Sequence, residues 1–434
     1  MARIWSSELA AHAGQQVQLA GWLHRFRQLS QVSFLVLRDG KGLSQVVIED
    51  PQQVKELALL PDETVLSVVG TAVAVPAAPS GMEVHAARIE VISLANVDVP
   101  VLNLFRPVIK AQLPTILDRA AVALRHPRFR ATHRIAAASA EGYRQTLRAR
   151  GFVEIFTPKL VASATEGGAN VFPVDYFGRT AFLAQSPQFY KQIMVGVYER
   201  VFEIGPVFRA EPHDTPRHLN EFVSLDFEMG FIDDHTPVMD MLADVLRGML
   251  HAVREQADDA IGLLGLTLPA VPTAIPAIHF AEAQRLITDS TAEDLTNEPD
   301  LAPAHERWLG DWAQRTHNSE FLFVVGYPMA KRPFYTHPQP DQPRFTNSFD
   351  LLFRGQELTT GGQRLHLYAD YLSALAERGL PTAPFAGYLE AFASGMPPHG
   401  GCALGLERWV ARLVGAANIR EATLFPRDIN RLTP

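Results

Sequence analysis

Cysteine is almost absent from this chain of 434 residues, which contains a single one, Cys402. One cysteine cannot form an internal disulfide, so we expect a reducing compartment, most simply the cytoplasm. Long apolar runs are also missing, because the longest, from Leu66 to Ala78, is interrupted by Gly70 and Pro76 and falls short of the ~20 residues that span a bilayer. The first residues lack the apolar segment of a signal peptide. The sequence therefore predicts a cytoplasmic protein with no membrane segment.

Several nucleotide-binding and metal-binding motifs are absent as well. No GxxxxGK followed by Ser or Thr occurs, and no GxGxxG stands between a strand and a helix, which excludes a P-loop and a Rossmann site. Neither HExxH nor CxxC occurs, which argues against zinc. The net charge of −8 excludes bulk attraction to nucleic acid but allows a local basic groove. Lysine is scarce, with six among 39 basic residues, so a lysine inside a polar cluster is informative.

What the chain does contain fits a globular protein of two or three domains. Apolar residues make up 47% and charged residues 20%, which excludes a disordered, collagenous or coiled-coil chain. Five β-branched, partly alternating segments lie between Gln16 and Ser93, separated by turn signals such as Asp39-Gly40. Five strands in about 80 residues suit a barrel of the OB type, although an SH3-like barrel fits nearly as well. We predict a five-stranded OB-type β-barrel over residues 1–100.

The rest of the chain has a different pattern. Residues 101–130 carry prolines with little periodicity and are predicted to form a hinge. Apolar residues at helical spacing predict helices over 113–124 and 129–150. From Gly151 onward, strand-like segments such as FVEIFTPKL alternate unevenly with helical ones such as Pro237 to Gln256. We therefore predict that residues 131–434 form an α+β domain on an antiparallel sheet flanked by helices.

This second domain places charged and aromatic residues around one predicted hairpin. Arg209 and Glu211 end one strand, and Phe222 begins the next. The loop between them carries Arg217 and His218. Planar guanidinium groups suit phosphate oxygens and an aromatic face suits a purine ring, although a surface hairpin with solvated charges fits equally well.

Three segments of the second domain resemble a known family. GFVEIFTP (151–158), FRAE (208–211) and the glycine-rich strand ending in GLER (405–408) resemble motifs 1, 2 and 3 of the class II aminoacyl-tRNA synthetases, in that order. The N-terminal barrel resembles the anticodon-binding OB domain of their aspartate, asparagine and lysine subgroup. RHLNEF, NIREATLFPRD and the lack of a large insertion between motifs 2 and 3 resemble the archaeal and eukaryotic type of aspartyl-tRNA synthetase.

The resemblance implies which residues bind the amino acid. The segment ending at Lys191 resembles the aspartyl signature, whereas asparaginyl enzymes usually carry leucine at that position. Arg364 would face the same ligand, and two cations without an acceptor match a carboxylate and reject an amide. An exposed helix residue and a structural ion pair are the alternatives for these two side chains. For the α-ammonium group the resemblance implies Glu166, Gln188 and Asp226.

The same resemblance implies ATP and Mg²⁺. It assigns ATP binding to Arg209, Arg217, His218, Phe222, Glu357 and Arg408, with Arg209, Glu211 and Arg408 as the catalytic residues. It assigns Mg²⁺, which prefers hard oxygen ligands, to Glu357, Thr360 and Asp350. The implied activity is aspartate–tRNA ligation, in which ATP activates L-aspartate to aspartyl-adenylate and the aspartyl group passes to the 3′ end of tRNA-Asp. A homodimer through motif 1, with Pro158 at its interface, is also implied, although this could be an ordinary strand-ending proline.

In the barrel, the resemblance implies anticodon binding. Phe34 matches an aromatic platform whose stacking is worth ~1 to 3 kcal/mol per base, with a core phenylalanine as the alternative. Gln45 and Glu83 match base readers. His24 and Pro79 resemble the nondiscriminating subgroup, which aspartylates both tRNA-Asp and tRNA-Asn, although either could be a neutral surface change.

A nondiscriminating enzyme would require a downstream amidotransferase that converts Asp-tRNA-Asn.

Three other functions are alternatives to aspartate–tRNA ligation. An asparaginyl-tRNA synthetase is opposed by Lys191. A non-catalytic RNA-binding paralogue is opposed by the presence of Arg209, Glu357 and Arg408, and an amide ligase on the same fold would lack the barrel.

Overall fold

A computed structural model describes residues 2–29, 32–96, 102–162, 170–291 and 293–434. The chain divides into two compact units, Met1–Pro127 and Arg128–Pro434. Each unit has its own core and is described by itself below.

The first unit is a closed five-stranded barrel with strand order β1-β2-β3-β5-β4. Its strands are β1 (Gln16–Gln28), β2 (Ser33–Arg38), β3 (Leu43–Ile48), β4 (Val65–Ala74) and β5 (Met82–Ser93). Alternate residues such as Leu35, Leu37 and Val68 fill the interior, since successive side chains of a strand point to opposite faces. The prediction of a five-stranded OB-type barrel is confirmed.

Short helices accompany the barrel. Helix α1 (Pro51–Leu57) follows β3, and 3₁₀ turns cover Ser6–His12 and Pro79–Gly81. The segment predicted as a hinge contains α2 (Leu113–Asp118) and α3 (Ala120–Ala123). One helix was expected over 113–124, but Arg119 leaves helical geometry, with φ −110° and ψ 28°, and divides it.

The second unit is built on an eight-stranded sheet of order β12-β13-β14-β15-β16-β11-β10-β6. Its strands are β6 (Val153–Glu154), β10 (Arg200–Phe208), β11 (Glu221–Gly230), β12 (Ala277–His279), β13 (Phe321–Val325), β14 (Ser348–Phe353), β15 (Gln356–Gln363) and β16 (His399–Gly405). A separate three-stranded sheet contains β7 (Leu160–Val161), β8 (Pro173–Tyr176) and β9 (Arg179–Leu183). The six central strands of the large sheet are antiparallel, and β6 and β12 add one parallel strand at each edge. The predicted α+β fold on an antiparallel sheet is confirmed for this central part.

One expected strand is much shorter in the structure. FVEIFTPKL contributes only β6 and β7, and these belong to different sheets. Pro158 lies between them and has no N–H to donate to a strand ladder, so pairing stops before it.

Helices pack on both faces of the large sheet. The helices of this unit are α4 (Pro127–Ala149), α5 (Gln188–Tyr198), α6 (Thr236–Gln256), α7 (Asp258–Leu264), α8 (Phe280–Thr291), α9 (Pro303–His317), α10 (Tyr368–Glu377), α11 (Ala386–Ala393) and α12 (Leu406–Val414). Helices α4 and α6 meet at Gly142 and Gly248, where a Cβ on Gly142 would lie 2.5 Å from the Gly248 carbonyl oxygen. Among the helices of the described residues, none combines the length and the apolar character needed to cross a bilayer.

Strand alternation sets the two faces of β11. Leu225, Phe227 and Met229 pack into the core that contains residues of α4, α6 and α12. Ser224, Asp226 and Glu228 therefore point to the opposite face. This polar face of the sheet forms the floor of a cavity.

Candidate active site

A cavity of about 280 Å³ lies over the polar face of the large sheet. Most residues that the sequence predicted for the amino acid, ATP and Mg²⁺ line it. Their side chains come from α5, β11, β15, α12, the loop between β10 and β11, and the residue that follows β15. They are Gln188, Lys191, Arg209, Glu211, Arg217, His218, Phe222, Glu357, Thr360, Arg364 and Arg408. Predictions spread over about half of the chain thus converge in one place, although the individual roles stay predictions.

The floor of the cavity is a buried ion cluster. Lys191 on α5 is 1% exposed, and its Nζ lies 3.0 Å from Asp226 Oδ1 and 3.3 Å from Glu228 Oε2. Arg364 follows β15 and donates from Nε to Glu228 Oε1 at 2.9 Å. Ser224 donates to the other Asp226 oxygen. Two cations and two carboxylates therefore compensate one another with almost no solvent.

The pKa values follow from this pairing. Burial alone would lower the pKa of Lys191, but the carboxylates of Asp226 and Glu228 raise it above its ordinary value. Burial alone would raise the pKa of Glu228, but Arg364 and Lys191 lower it below its ordinary value. Lys191 and Glu228 are thus both charged at neutral pH.

The pairing bears on the amino-acid site. Lys191 and Arg364 were expected to offer only donors to the substrate, and in the structure Asp226 and Glu228 already accept from them. Arg364 uses Nε for Glu228 and Nη2 for the main-chain oxygen of Gly401 at 2.8 Å, and it lines the cavity with the rest of its guanidinium. Lys191 is buried, so the alternative of an exposed helix residue is wrong.

Glu228 was not identified from the sequence, although a signal was present. It lies two residues after Asp226 on β11, and residues two apart in a strand share a face. Its carboxylate needs room, because a Cβ on Gly401 of the neighbouring strand would lie 2.3 Å from Glu228 Oε2. The glycine-rich segment is therefore explained partly by this carboxylate.

The loop after β10 holds the opposite end of the cavity. Asn220 donates from Nδ2 to the main-chain oxygens of Arg209, at 2.7 Å, and Glu211, at 3.1 Å. The Arg209 guanidinium lies 5.6 Å from the Phe222 ring centroid and is 40% exposed. The hairpin thus presents an arginine beside an aromatic ring at an open surface, as the motif predicted.

Two further arginines face this open end. Arg408 on α12 donates from Nη1 to the main-chain oxygen of Glu357 at 3.2 Å. Arg217 donates from Nη2 to Glu306 Oε1 at 3.4 Å. His218 lies beside them, and burial lowers its pKa, opposed by Glu211 and assisted by Arg408. Their convergence produces a positive surface that suits a polyphosphate.

Glu357 and Thr360 share the cavity face although they are three residues apart on a strand. Leu352 pairs with Glu357 and Leu351 pairs with Thr359, so Leu358 is an extra residue in β15. This bulge reverses the alternation, and the Thr360 hydroxyl lies 3.3 Å from Glu357 Oε1.

Asp350 completes this group of oxygens from below. It is buried and paired with Arg332 Nη2 at 2.8 Å, and burial raises its pKa to about 6. One half-buried carboxylate, one hydroxyl and one buried carboxylate form a hard-oxygen set that fits Mg²⁺. Glu357 and Thr360 would bind the ion directly in this arrangement.

Sequence reasoning also missed two buried carboxylates near the open end. Glu306 on α9 accepts from the main-chain N–H of Glu357 at 2.8 Å and pairs with Arg217. Glu407 on α12 accepts from the main-chain N–H of Val223 at 3.1 Å, and burial raises its pKa to about 7. Glu306 comes from a helix far along the chain, and no local pattern marks it.

Glu166 lies outside the described residues, and its predicted role in binding the α-ammonium group stays a prediction. Gln188, predicted for the same group, begins α5 and is buried at the cavity. Asp226 lies below the cavity floor, where it holds Lys191.

The barrel brings three of the predicted anticodon residues to one face. Phe34 is half-buried and points away from the core residues Leu35 and Leu37, so the alternative of a core phenylalanine is wrong. Gln45 pairs with Glu83 on the neighbouring strand, and its Nε2 donates to Glu83 Oε2 at 3.2 Å. An aromatic ring beside two hydrogen-bonding side chains fits a base-binding face.

His24 has a different environment in the barrel. It is buried, its Nδ1 lies 3.3 Å from Arg38 Nη1, and it lines a separate cavity with Glu63 and Arg125. Arg38 and Arg125 both pair with Glu63, at 2.6 and 2.9 Å. The alternative of a neutral change on an exposed surface is therefore wrong for His24. Pro79 begins the 3₁₀ turn between β4 and β5.

Comparisons with known proteins match both units. Residues 112–429 match the family described as tRNA synthetases class II (D, K and N), and residues 17–92 match the OB-fold nucleic acid binding domain. The first match covers well over half of the chain. The chain therefore belongs to the class II tRNA synthetases of the D, K and N group.

Individual relatives and one solved structure can be compared with the chain over its full length. The chain is 46% identical to the aspartate–tRNA(Asp/Asn) ligase of Thermus thermophilus over 432 residues, covering 100% of both chains. It is 39% identical to the aspartate–tRNA(Asp) ligase of Pyrococcus abyssi, covering 99% of each. The asparaginyl-tRNA synthetase of Pyrococcus horikoshii, solved with asparaginyl-adenylate, superposes with a TM-score of 0.93 at 29% identity, covering 100% of both chains. The fold is thus shared by enzymes for two amino acids.

Proposed function

We propose that this protein activates L-aspartate with ATP and transfers the aspartyl group to the 3′ end of tRNA-Asp and tRNA-Asn. The observation that carries the proposal is the buried pairing of Lys191 and Arg364 with Asp226 and Glu228, at the floor of a cavity whose other end is lined by arginines. The relative that shares the full length of the chain at 46% identity supports the same activity.

The open end of the cavity suits the activation step. The α-carboxylate of aspartate attacks the α-phosphorus of ATP in line, and Arg209 stabilises the charge that develops on the phosphoryl oxygens. Pyrophosphate leaves toward Arg408 and Arg217. Mg²⁺ bound by Glu357 and Thr360 would supply a hard positive charge to the phosphates. No side chain needs to act as a nucleophile, so positioning and electrostatics supply the catalysis.

The floor of the cavity selects the amino acid. Arg364 keeps N–H groups that Glu228 and Gly401 do not use, and a substrate carboxylate can accept from them. An amide side chain would place its own NH₂ donors against these donors. Asparagine is therefore rejected by the same fixed cations, which opposes an asparaginyl-tRNA synthetase despite the shared fold. Glu166 and Gln188 are proposed to accept from the α-ammonium group.

The transfer step uses the tRNA bound by both units. The terminal ribose 3′-hydroxyl attacks the carbonyl of aspartyl-adenylate, and AMP leaves. Phe34, Gln45 and Glu83 are proposed to contact the anticodon. His24 and Pro79 support charging of both tRNAs, and Asp-tRNA-Asn then requires an amidotransferase.

Aminoacylation with purified tRNA-Asp and tRNA-Asn, each tested with aspartate and asparagine, tests the proposal. We expect aspartate to be attached to both tRNAs with kcat/KM values within about tenfold, equivalent to ~1.4 kcal/mol. Attachment of asparagine would refute the substrate assignment. Refusal of tRNA-Asn would refute the nondiscriminating assignment and leave the aspartate activity intact.

A double variant sharpens the tRNA assignment. His24→Trp with Pro79→Lys adds bulk and a cation, and such obstacles produce specificity against one of two similar partners. We expect charging of tRNA-Asn to fall more than charging of tRNA-Asp. Aspartate-dependent pyrophosphate exchange needs no tRNA and serves as the control for an intact active site.

A homodimer in the cytoplasm is also proposed. Motif 1 supports the dimer, because Phe156 is 82% exposed and Leu160 and Pro158 are exposed beside it. Exposed apolar groups of this kind mark interaction surfaces. Sedimentation of Phe156→Asp should show monomers where the wild type sediments as a dimer.

The single cysteine, Cys402, is free and buried, which supports a reducing compartment such as the cytoplasm.

A further inference from the structure

Three potential metal ligands converge in the loop between β10 and β11. Glu211 Oε2 lies 3.8 Å from His213 Nδ1 and 3.9 Å from His218 Nε2. The three ligand atoms all lie within 4.8 Å of one another. Two imidazoles and one carboxylate thus face a common point at the rim of the cavity.

The loop that carries the two histidines is anchored from the C-terminal part of the chain. Arg420 donates from Nη2 to Asp214 Oδ1 at 2.9 Å and from Nη1 to the main-chain oxygen of Thr215 at 3.3 Å. Asn430 donates to the other Asp214 oxygen at 2.8 Å. The backbone between His213 and His218 is therefore held from outside the loop.

A hydrogen bond also fixes the ring of His218. Its Nδ1 lies 2.6 Å from Thr215 Oγ1. In the tautomer that donates Nδ1–H to this hydroxyl, the Nε2 lone pair faces Glu211. Metal-binding histidines are commonly oriented by such a partner on the second ring nitrogen.

We propose that Glu211, His213 and His218 bind one divalent transition-metal ion of the zinc type. Zinc–nitrogen and zinc–oxygen bonds of about 2.0–2.2 Å place neighbouring ligands roughly 3.4 Å apart in a tetrahedron. The two distances to Glu211 therefore need to close by about half an ångström, and the distance between the two histidine nitrogens, at most 4.8 Å, by up to about 1.4 Å. Imidazole favours zinc, cobalt or nickel over magnesium. The fourth position remains open to water. The spacing of the three residues matches no zinc motif, which is why the sequence argued against zinc.

Occupancy of this site would compete with ATP. Glu211 and His218 line the cavity, and His218 is assigned to the phosphate end of ATP, so this consequence rests on the proposed function. A metal that engages both side chains withdraws them from the nucleotide. Zinc should therefore raise the apparent KM for ATP and leave kcat unchanged.

Direct binding tests the site without any activity. Full-length protein is titrated calorimetrically with Zn²⁺, and by visible absorption with Co²⁺, in excess Mg²⁺ and without ATP. We expect one ion per chain, and an affinity at least about tenfold lower in His213→Ala, since even the loss of an orienting partner costs that much. His251→Ala, which removes an exposed histidine of α6, should bind like the wild type. Equal binding by His213→Ala, or an equal loss in His251→Ala, would overturn the proposal.

The orienting threonine provides a second test. Thr215→Val should weaken Zn²⁺ binding by roughly tenfold, and Thr215→Ser should restore it because the hydroxyl returns. Unchanged binding in Thr215→Val would refute the orienting role. In pyrophosphate exchange, Zn²⁺ should raise the KM for ATP in the wild type and have less effect in His213→Ala, each compared with its own metal-free rate. Zinc binding that leaves this KM unchanged would refute the competition while the direct titration still decides the site.

Discussion

The two ends of the active-site cavity use charge in opposite ways. At the floor, Lys191, Asp226 and Glu228 are at most 1% exposed, and every charge has a protein partner. At the open end, Arg209 is 40% exposed and Arg408 is 27% exposed. Buried charges without partners are costly, whereas exposed arginines cost little and can await a ligand. The floor therefore contributes to folding, and the open end contributes mainly to binding.

The largest effect is expected from breaking the floor. Lys191→Leu leaves Asp226 and Glu228 without the cation they share, and the loss of one buried partner typically costs about 3–5 kcal/mol of unfolding free energy. Denaturant unfolding of the variant and the wild type measures this loss of unfolding free energy. Lys331→Leu is the matched control, since Lys331 is 43% exposed and its pairing with Asp300 spans 3.7 Å. Equal stability of the two variants would show that the floor is not a folding element.

The loss of stability in Lys191→Leu also affects how its KM values for aspartate and ATP are interpreted. Lys191→Leu should weaken aspartate far more than ATP, but part of that loss comes from the disturbed carboxylates. Measuring stability and the KM values for aspartate and ATP together separates the two causes.

The next largest effect is expected at the open end. Arg408→Ala should reduce aspartate-dependent pyrophosphate exchange by about 10²–10³-fold, the range seen when one donor to a developing charge is removed. Its unfolding free energy should stay within about 0.5 kcal/mol of the wild type, because the side chain is partly exposed. Arg254→Ala removes an exposed arginine of α6 and should exchange normally. Wild-type exchange by Arg408→Ala would contradict the role of this end.

A pH effect is expected from Glu407, a buried carboxyl near the open end. Burial, with a smaller contribution from Glu221, raises its pKa to about 7 from 4.5. The folded state therefore favours the protonated form, and the stability it contributes is complete below pH 4.5 and is lost as the pH rises to about 7. The total is up to about 3 kcal/mol.

Thermal unfolding of Glu407→Gln at pH 5 and pH 8 measures this effect. The variant should gain stability relative to the wild type as the pH rises. Glu390→Gln, at an exposed position of α11, should show no such gain. If the difference in stability between Glu407→Gln and the wild type is the same at pH 5 and pH 8, the raised pKa of Glu407 is contradicted.

The smallest effect is expected from Glu306, which supports the open end from beneath. Glu306→Gln keeps an oxygen for the Glu357 N–H but removes the charge that holds Arg217. We expect the KM for ATP in pyrophosphate exchange to rise about tenfold, equivalent to one hydrogen bond to a charged group of about 1.5 kcal/mol. Glu298→Gln, at an exposed position, is the control. An unchanged KM would indicate that Arg217 is positioned without Glu306.

The sequence predicted the open end better than the floor for a physical reason. Arg209 and Arg408 belong to continuous motifs whose local geometry places them, so a linear pattern was sufficient. Glu306 acts across the fold and has no local signature. The pairing of Lys191 with Asp226 and Glu228 needed the packing of α5 on the sheet, which strand alternation alone does not provide.

The same distinction holds for the fold. The five barrel strands followed from alternation and turn signals, whereas β15 of the central sheet was not predicted. The two parallel edge strands did not follow from these signals, because they depend on pairing between distant segments. The division of one predicted helix at Arg119 was not predicted either.

The bulge in β15 has a consequence for recognising sites of this kind in other sequences. Regular alternation places residues three apart on opposite faces of a strand, and a spacing of three on one face is typical of a helix. A search for paired oxygen ligands that assumes regular strands would therefore pass over Glu357 and Thr360. Deletion of Leu358 would restore the regular pattern and turn one of the two oxygens toward the helical core. A single inserted residue thus determines whether this strand can contribute two ligands to one ion.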